Sequence, residues 1–83
     1  MRLYISHVDA NVTHSQLAAI FLWYGELESI DIIHEETCNA AYIQYSNLYD
    51  NHRNNILQQE FTENSNIARV YYNEQEYWTV EKI

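Results

Sequence analysis

Two tyrosines occupy positions where a strand would turn them to solvent. Leu3 and Ile5 flank Tyr4, and Ala41, Ile43 and Tyr45 alternate with Ala40, Tyr42 and Gln44. Successive strand side chains point to opposite faces, so an apolar core face sends Tyr4 and Tyr42 outward. Two such rings on neighbouring strands can pair with each other. A second candidate is the pair Leu22–Trp23, which lies off the helical stripe Leu17–Ile20–Phe21–Tyr24. An exposed Leu–Trp pair is costly for solubility unless something covers it, and Trp is a preferred interface anchor. Leu22 and Trp23 are therefore candidate protein-contact residues.

Other chemistry finds less support. Nucleophilic catalysis needs a nucleophile, a base and an orienting group. Cys38 follows Glu35 and Glu36, and carboxylates raise a thiol's pKa and blunt it. His7, His14, His34 and His52 form no HExxH, no His-x-His and no Cys–His spacing, so no metal site is expected. Glu26/Glu28 and Glu35/Glu36 are paired carboxylates with nothing to mark a cleft. The expectation is a protein that is not an enzyme, with no cofactor, no metal and no small-molecule substrate.

Length and composition bound the rest. The chain has 83 residues, and four basic against twelve acidic side chains give a net charge of −8. That length suits one domain over residues 1–83. An apolar fraction of 47% and an aromatic fraction of 14% are too high for a disordered acidic tail. The longest apolar run is far too short to span a membrane. Cys38 is the only cysteine, and strand-like sequence starts almost at Met1 without a basic–apolar–small leader. An intracellular location, nucleus or cytoplasm, is expected. The acidic balance repels phosphate on average, whereas a generic electrostatic nucleic-acid binder is basic.

The elements that must position these residues follow from the apolar periodicity. A first strand is predicted from about Arg2 to Val8. Thr13 and Gln16 have the spacing of a capping box for a first helix. Gly25, the only glycine, is predicted to close that helix in a left-handed conformation. Leu27, Ile30, Ile32 and Ile33 carry a second strand, His34–Glu35–Glu36–Thr37 a hairpin loop, and Ala40–Tyr45 a third strand. A second helix is predicted over about Asn47 to Phe61, with Asn51, Asn54 and Asn55 as mediocre helix formers. After a loop at Thr62–Asn66, Ile67–Tyr72 and Tyr77–Lys82 form a hairpin through Asn73–Glu74–Gln75–Glu76. The order β-α-β-β-α-β predicts an α+β, ferredoxin-like sandwich. Its four-stranded antiparallel sheet carries both helices on one face, with an extra hairpin before the last strand.

With that order in hand, the chain resembles the RNA recognition motif family over essentially its whole length. Leu3-Tyr4-Ile5-Ser6-His7-Val8 looks like the six-residue motif of the family's first strand. Leu17, Phe21, Tyr24-Gly25, Leu27, Ile30 and Ile32 match its wording through helix one and strand two. Cys38-Asn39-Ala40-Ala41-Tyr42-Ile43-Gln44-Tyr45 sits where the eight-residue motif belongs, and its last five positions fit. The octamer opens on Cys38 and Asn39 where the family has a basic residue and glycine, and Ala40 replaces an aromatic. The resemblance implies that Tyr4 and Tyr42 are rings on which bases of single-stranded RNA stack. Arg2, Arg69 and Lys82 are the cations expected near one edge of that sheet. Against twelve carboxylates, the binding implied is weak. The alternative is an acidic protein-interaction module of the same fold, anchored by Leu22 and Trp23 and able to pair with its own copy.

Overall fold

The computed structural model describes residues 1–83. Thr13 starts the first helix as the capping box requires. Its hydroxyl accepts from the Gln16 backbone N–H at 3.2 Å, and its own N–H donates to Gln16 Oε1 at 2.8 Å. The elements are β1 (Arg2–Val8), α1 (His14–Phe21), β2 (Gly25–His34), β3 (Asn39–Leu48), α2 (His52–Glu63), β4 (Ile67–Tyr71) and β5 (Tyr77–Lys82). The strands form one five-stranded sheet in the order β2-β3-β1-β5-β4, and every neighbouring pair is antiparallel. The molecule is thus a small α+β protein with two helices. The expected count of four strands is corrected to five, because β4 pairs along the whole of β5 and extends the sheet.

One hydrophobic cluster lies between the sheet and the helices. Leu17 and Phe21 of α1 and Leu57 and Phe61 of α2 meet Leu3, Ile5, Ala41, Ile43, Ala68, Val70 and Val80. Phe21 is fully buried and stacks on Trp78 with ring centroids 5.8 Å apart. The Tyr45 hydroxyl, also inside, donates to the Phe21 carbonyl oxygen at 2.6 Å. It thereby satisfies a helix-end acceptor that has no partner within the helix. Burial pushes the Tyr45 hydroxyl pKa far up, with the neighbouring Tyr24 adding to it, so the group stays a donor. Neither helix is long and apolar enough to cross a membrane.

Three local expectations are corrected. Gly25 is not left-handed; it opens β2. A Cβ there would overlap the Asn47 carbonyl oxygen and sit 3.0 Å from Leu48 Cα. The glycine is needed for close strand approach. Asn47 and Leu48 belong to β3, where they pair with Glu26 and Gly25, so α2 starts at His52 and not at Asn47. Asn51 is its N-cap, accepting from the Asn54 N–H at 2.8 Å. Asn54 is buried with its amide donating to the Tyr49 carbonyl and its oxygen accepting from Gln58. Finally, α1 ends at Phe21, so Leu22 and Trp23 stand in the turn after the helix and not on it.

Candidate nucleic-acid interface

The face of the sheet away from the helices is where the tyrosines emerge. Leu3 and Ile5 of β1 are fully buried, as are Ala41 and Ile43 of β3, while Tyr4 and Tyr42 between them are half-buried. Tyr4 stands directly opposite Tyr42 in the β1–β3 register, with centroids 4.9 Å apart and planes tilted by 41°. The Arg2 guanidinium lies over the Tyr42 ring, 4.6 Å from its centroid. A tyrosine pair with a cation beside it offers stacking surface and one partner for a phosphate or a base edge.

The same row of the sheet carries charge of the other sign. Asp31 is opposite Tyr42 on one side, and Glu81 is opposite Tyr4 on the other. The row across the four strands is therefore Asp31–Tyr42–Tyr4–Glu81. Cross-strand neighbours have Cβ atoms about 4.5–5.5 Å apart, so both carboxylates adjoin the rings. The Tyr4 hydroxyl pKa is raised, first by its partial removal from water and then by Glu35, Tyr42, Cys38 and Glu81 around it. It stays neutral at physiological pH. Carboxylates are poor neighbours for phosphate, but they accept hydrogen bonds from base amino groups.

The five residues expected to contact RNA do not converge. Tyr4, Tyr42 and Arg2 form one cluster. Arg69 lies two strands away from β1, on the edge strand β4, where its guanidinium sits 5.0 Å from the Tyr77 ring centroid. Lys82 is opposite Leu3 and shares the alternation of buried Val80. That register assigns it to the helix side of the sheet, at the end of β5. Alternation in Tyr77–Lys82 carries this distinction, because Trp78 and Val80 are core and Lys82 follows them at even spacing.

Leu22 and Trp23 remain exposed, at 50% and 41%. The N-terminal end of α2 reaches over Trp23. The Arg53 guanidinium lies 3.9 Å from the Trp23 ring centroid, and Asn51 Nδ2 donates to the Trp23 carbonyl at 3.0 Å. This patch is in the helix layer, remote from Tyr4 and Tyr42.

Two groupings escaped the sequence reading. Tyr71 and Tyr77 face each other across β4 and β5 with centroids 5.2 Å apart, both exposed on the outer face. Their signal is the alternation of Val70 and Trp78 with tyrosines in the Ile67–Lys82 hairpin. The Cys38 thiol and His7 Nδ1 lie 3.4 Å apart, joined by an irregularity in the β1–β3 register between Ile5 and Val8. Neither residue signals that contact locally, since 31 positions separate them.

Comparison of the chain with protein-family models, with curated protein sequences and with solved structures gave no match.

Proposed function

We propose that the chain is an RNA-recognition-motif-like, ferredoxin-like module that binds single-stranded RNA weakly through Tyr4 and Tyr42. The observation carrying this reading is the direct Tyr4–Tyr42 pairing on the open sheet face with Arg2 over one ring. In this reading β5 serves as the fourth strand of the βαββαβ unit and β4 is an addition outside it. Stacking is worth about 1–3 kcal/mol per base. Two rings then supply about 2–6 kcal/mol, short of the ~8 kcal/mol of a micromolar complex. Asp31 and Glu81 beside the rings, and the net charge of −8, keep phosphate contacts few. The lone Cys38 suits a reducing, intracellular setting.

Titration of a short mixed-sequence RNA at low salt tests this. Binding is expected at about the micromolar level or weaker. The salt slope should be shallow, at about −0.7 per phosphate contact. Nanomolar, steeply salt-dependent binding would contradict the charge argument, and no binding at low salt would contradict the function.

A second reading rests on Leu22 and Trp23, whose exposure suits a protein partner or a second copy of the chain. Arg53 lies over the Trp23 ring at 3.9 Å and leaves it exposed, and Trp is among the residues that most often anchor an interface.

A further inference from the structure

We infer that the β4–β5 hairpin carries a second base-stacking platform, formed by Tyr71 and Tyr77 with Arg69, on the same sheet face as Tyr4 and Tyr42. A single RNA strand occupies both. The inference rests on the RNA-binding reading and extends it to residues outside the βαββαβ unit.

The argument starts from repetition. The first cluster is a cross-strand tyrosine pair at 4.9 Å with Arg2 4.6 Å from one ring centroid. The second is a cross-strand tyrosine pair at 5.2 Å with Arg69 5.0 Å from one ring centroid. Both stand on the outer face, since Ala68, Val70, Trp78 and Val80 take the alternate positions in the core. Two of the chain's four basic residues are thus each set beside a tyrosine pair, with Arg69 and Tyr71 at the open edge of the sheet, where Ile56 and Glu60 of α2 also border them.

Exposure supports a ligand over simple packing. Tyr71 and Tyr77 remain 47% and 41% exposed although they touch each other. That exposed ring surface is available for a base to stack on. Beside Tyr77, Arg69, Ile67 and Thr79 line an open hollow of about 550 Å³, with Glu60 and Asn64 at its helix side. It offers apolar wall, ring and guanidinium together, with the Tyr71–Tyr77 pair as the flat surface on which a base can stack.

The nearby carboxylates keep their charge but are held by hydrogen bonds, and Glu60 borders the hollow itself, so phosphate contacts there are few. Glu60 accepts from the Arg69 backbone N–H at 3.0 Å. Glu76 accepts from the Tyr72 hydroxyl and from Asn73 at the hairpin tip. Glu81 lies four positions from Tyr77 along β5. At ~3.4 Å per strand residue, Tyr77 lies about 14 Å along the sheet from the Tyr4 row. A strand reaching both platforms therefore needs nucleotides between them. Thr79, exposed and opposite Arg69, offers a neutral hydroxyl on that path.

The test compares a mixed-sequence RNA tetramer and a decamer, each labelled at one end, on the full chain at low salt. The decamer should bind more tightly than the tetramer. Tyr77→Ala should weaken decamer binding by about 5- to 150-fold, the stacking of one base, and leave tetramer binding unchanged. Tyr77→Phe keeps the ring and should restore the decamer. Arg69→Gln should make the decamer's salt slope shallower by about 0.7. That readout does not depend on hairpin stability and decides the matter if Tyr77→Ala melts early. Equal affinity of wild type for both lengths, or an unaltered slope in Arg69→Gln, overturns the second platform while the Tyr4–Tyr42 site stands. Failure of both lengths to bind overturns both. Decamer-induced dimerisation on a sizing column would also overturn it, because two chains would then share the strand.

Discussion

Tyr45, on β3, donates its hydroxyl to the carbonyl oxygen of Phe21, the last residue of α1, at 2.6 Å. The bond ties the helix end to the central sheet inside the core. Tyr45→Phe removes this donor and leaves the Phe21 carbonyl with the Tyr24 backbone N–H alone, 3.2 Å away, at an expected cost of about 0.5–1.5 kcal/mol. Chemical denaturation of the variant measures it.

Burial of the same hydroxyl sets an alkaline limit. Burial raises the folded-state pKa of Tyr45 well above the ordinary 10.0, and burial is also the largest cause raising that of Tyr24. The folded state then holds protons that the unfolded chain loses. Stability is full below pH ~10 and falls as pH rises through the raised values. Tyr45→Phe should be less stable at neutral pH yet show a flatter decline above pH ~10. An equal decline in both proteins would contradict the assignment.

Phe21 is fully buried between α1 and Trp78. Phe21→Ala is expected to cost about 3–5 kcal/mol. Circular dichroism should report mixed helix and strand in the wild type, and thermal melting should show the loss.

Gly25→Ala gives a sharper test of the β2–β3 approach. Its Cβ would collide with the Asn47 carbonyl and crowd Leu48 and Tyr45, none of which is the free end of a flexible chain. Overpacking of this kind costs about 1–3 kcal/mol. A neutral Gly25→Ala in a denaturation series would show that the two strands can separate.

These tests also mark what sequence alone reveals. Tyr4 and Tyr42 were legible because period-two alternation with buried neighbours fixes their face locally. The Thr13–Gln16 capping box was legible for the same reason: both partners lie within one turn. Gly25 misled because a glycine after an amphipathic stripe looks like a helix stop, and its true constraint comes from Asn47 and Leu48, more than twenty residues away. Ser46, Asn47 and Leu48 have little strand preference of their own. Pairing with Gly25 and Glu26 extends β3 into them, and α2 starts later as a result. Asn51 and Asn54 looked like weak helix residues, whereas one caps α2 and the other bonds the Tyr49 carbonyl. Of the candidate contacts, the strand register alone separates Lys82 from the tyrosine face and sends Arg69 to the sheet edge.

The most direct test of the central claim measures short-RNA binding by wild type, Tyr4→Ala, Tyr42→Ala and Trp23→Ser at low salt, with thermal melts as controls. Each tyrosine change removes one ring from the outer sheet face and should weaken binding by about 5- to 150-fold while the fold survives. Trp23 is in the helix layer under Arg53, so Trp23→Ser should leave RNA affinity unchanged. If the tyrosine changes leave RNA binding intact while Trp23→Ser abolishes association with a partner or a second copy, the sheet face is not the functional surface and the RNA-binding account fails.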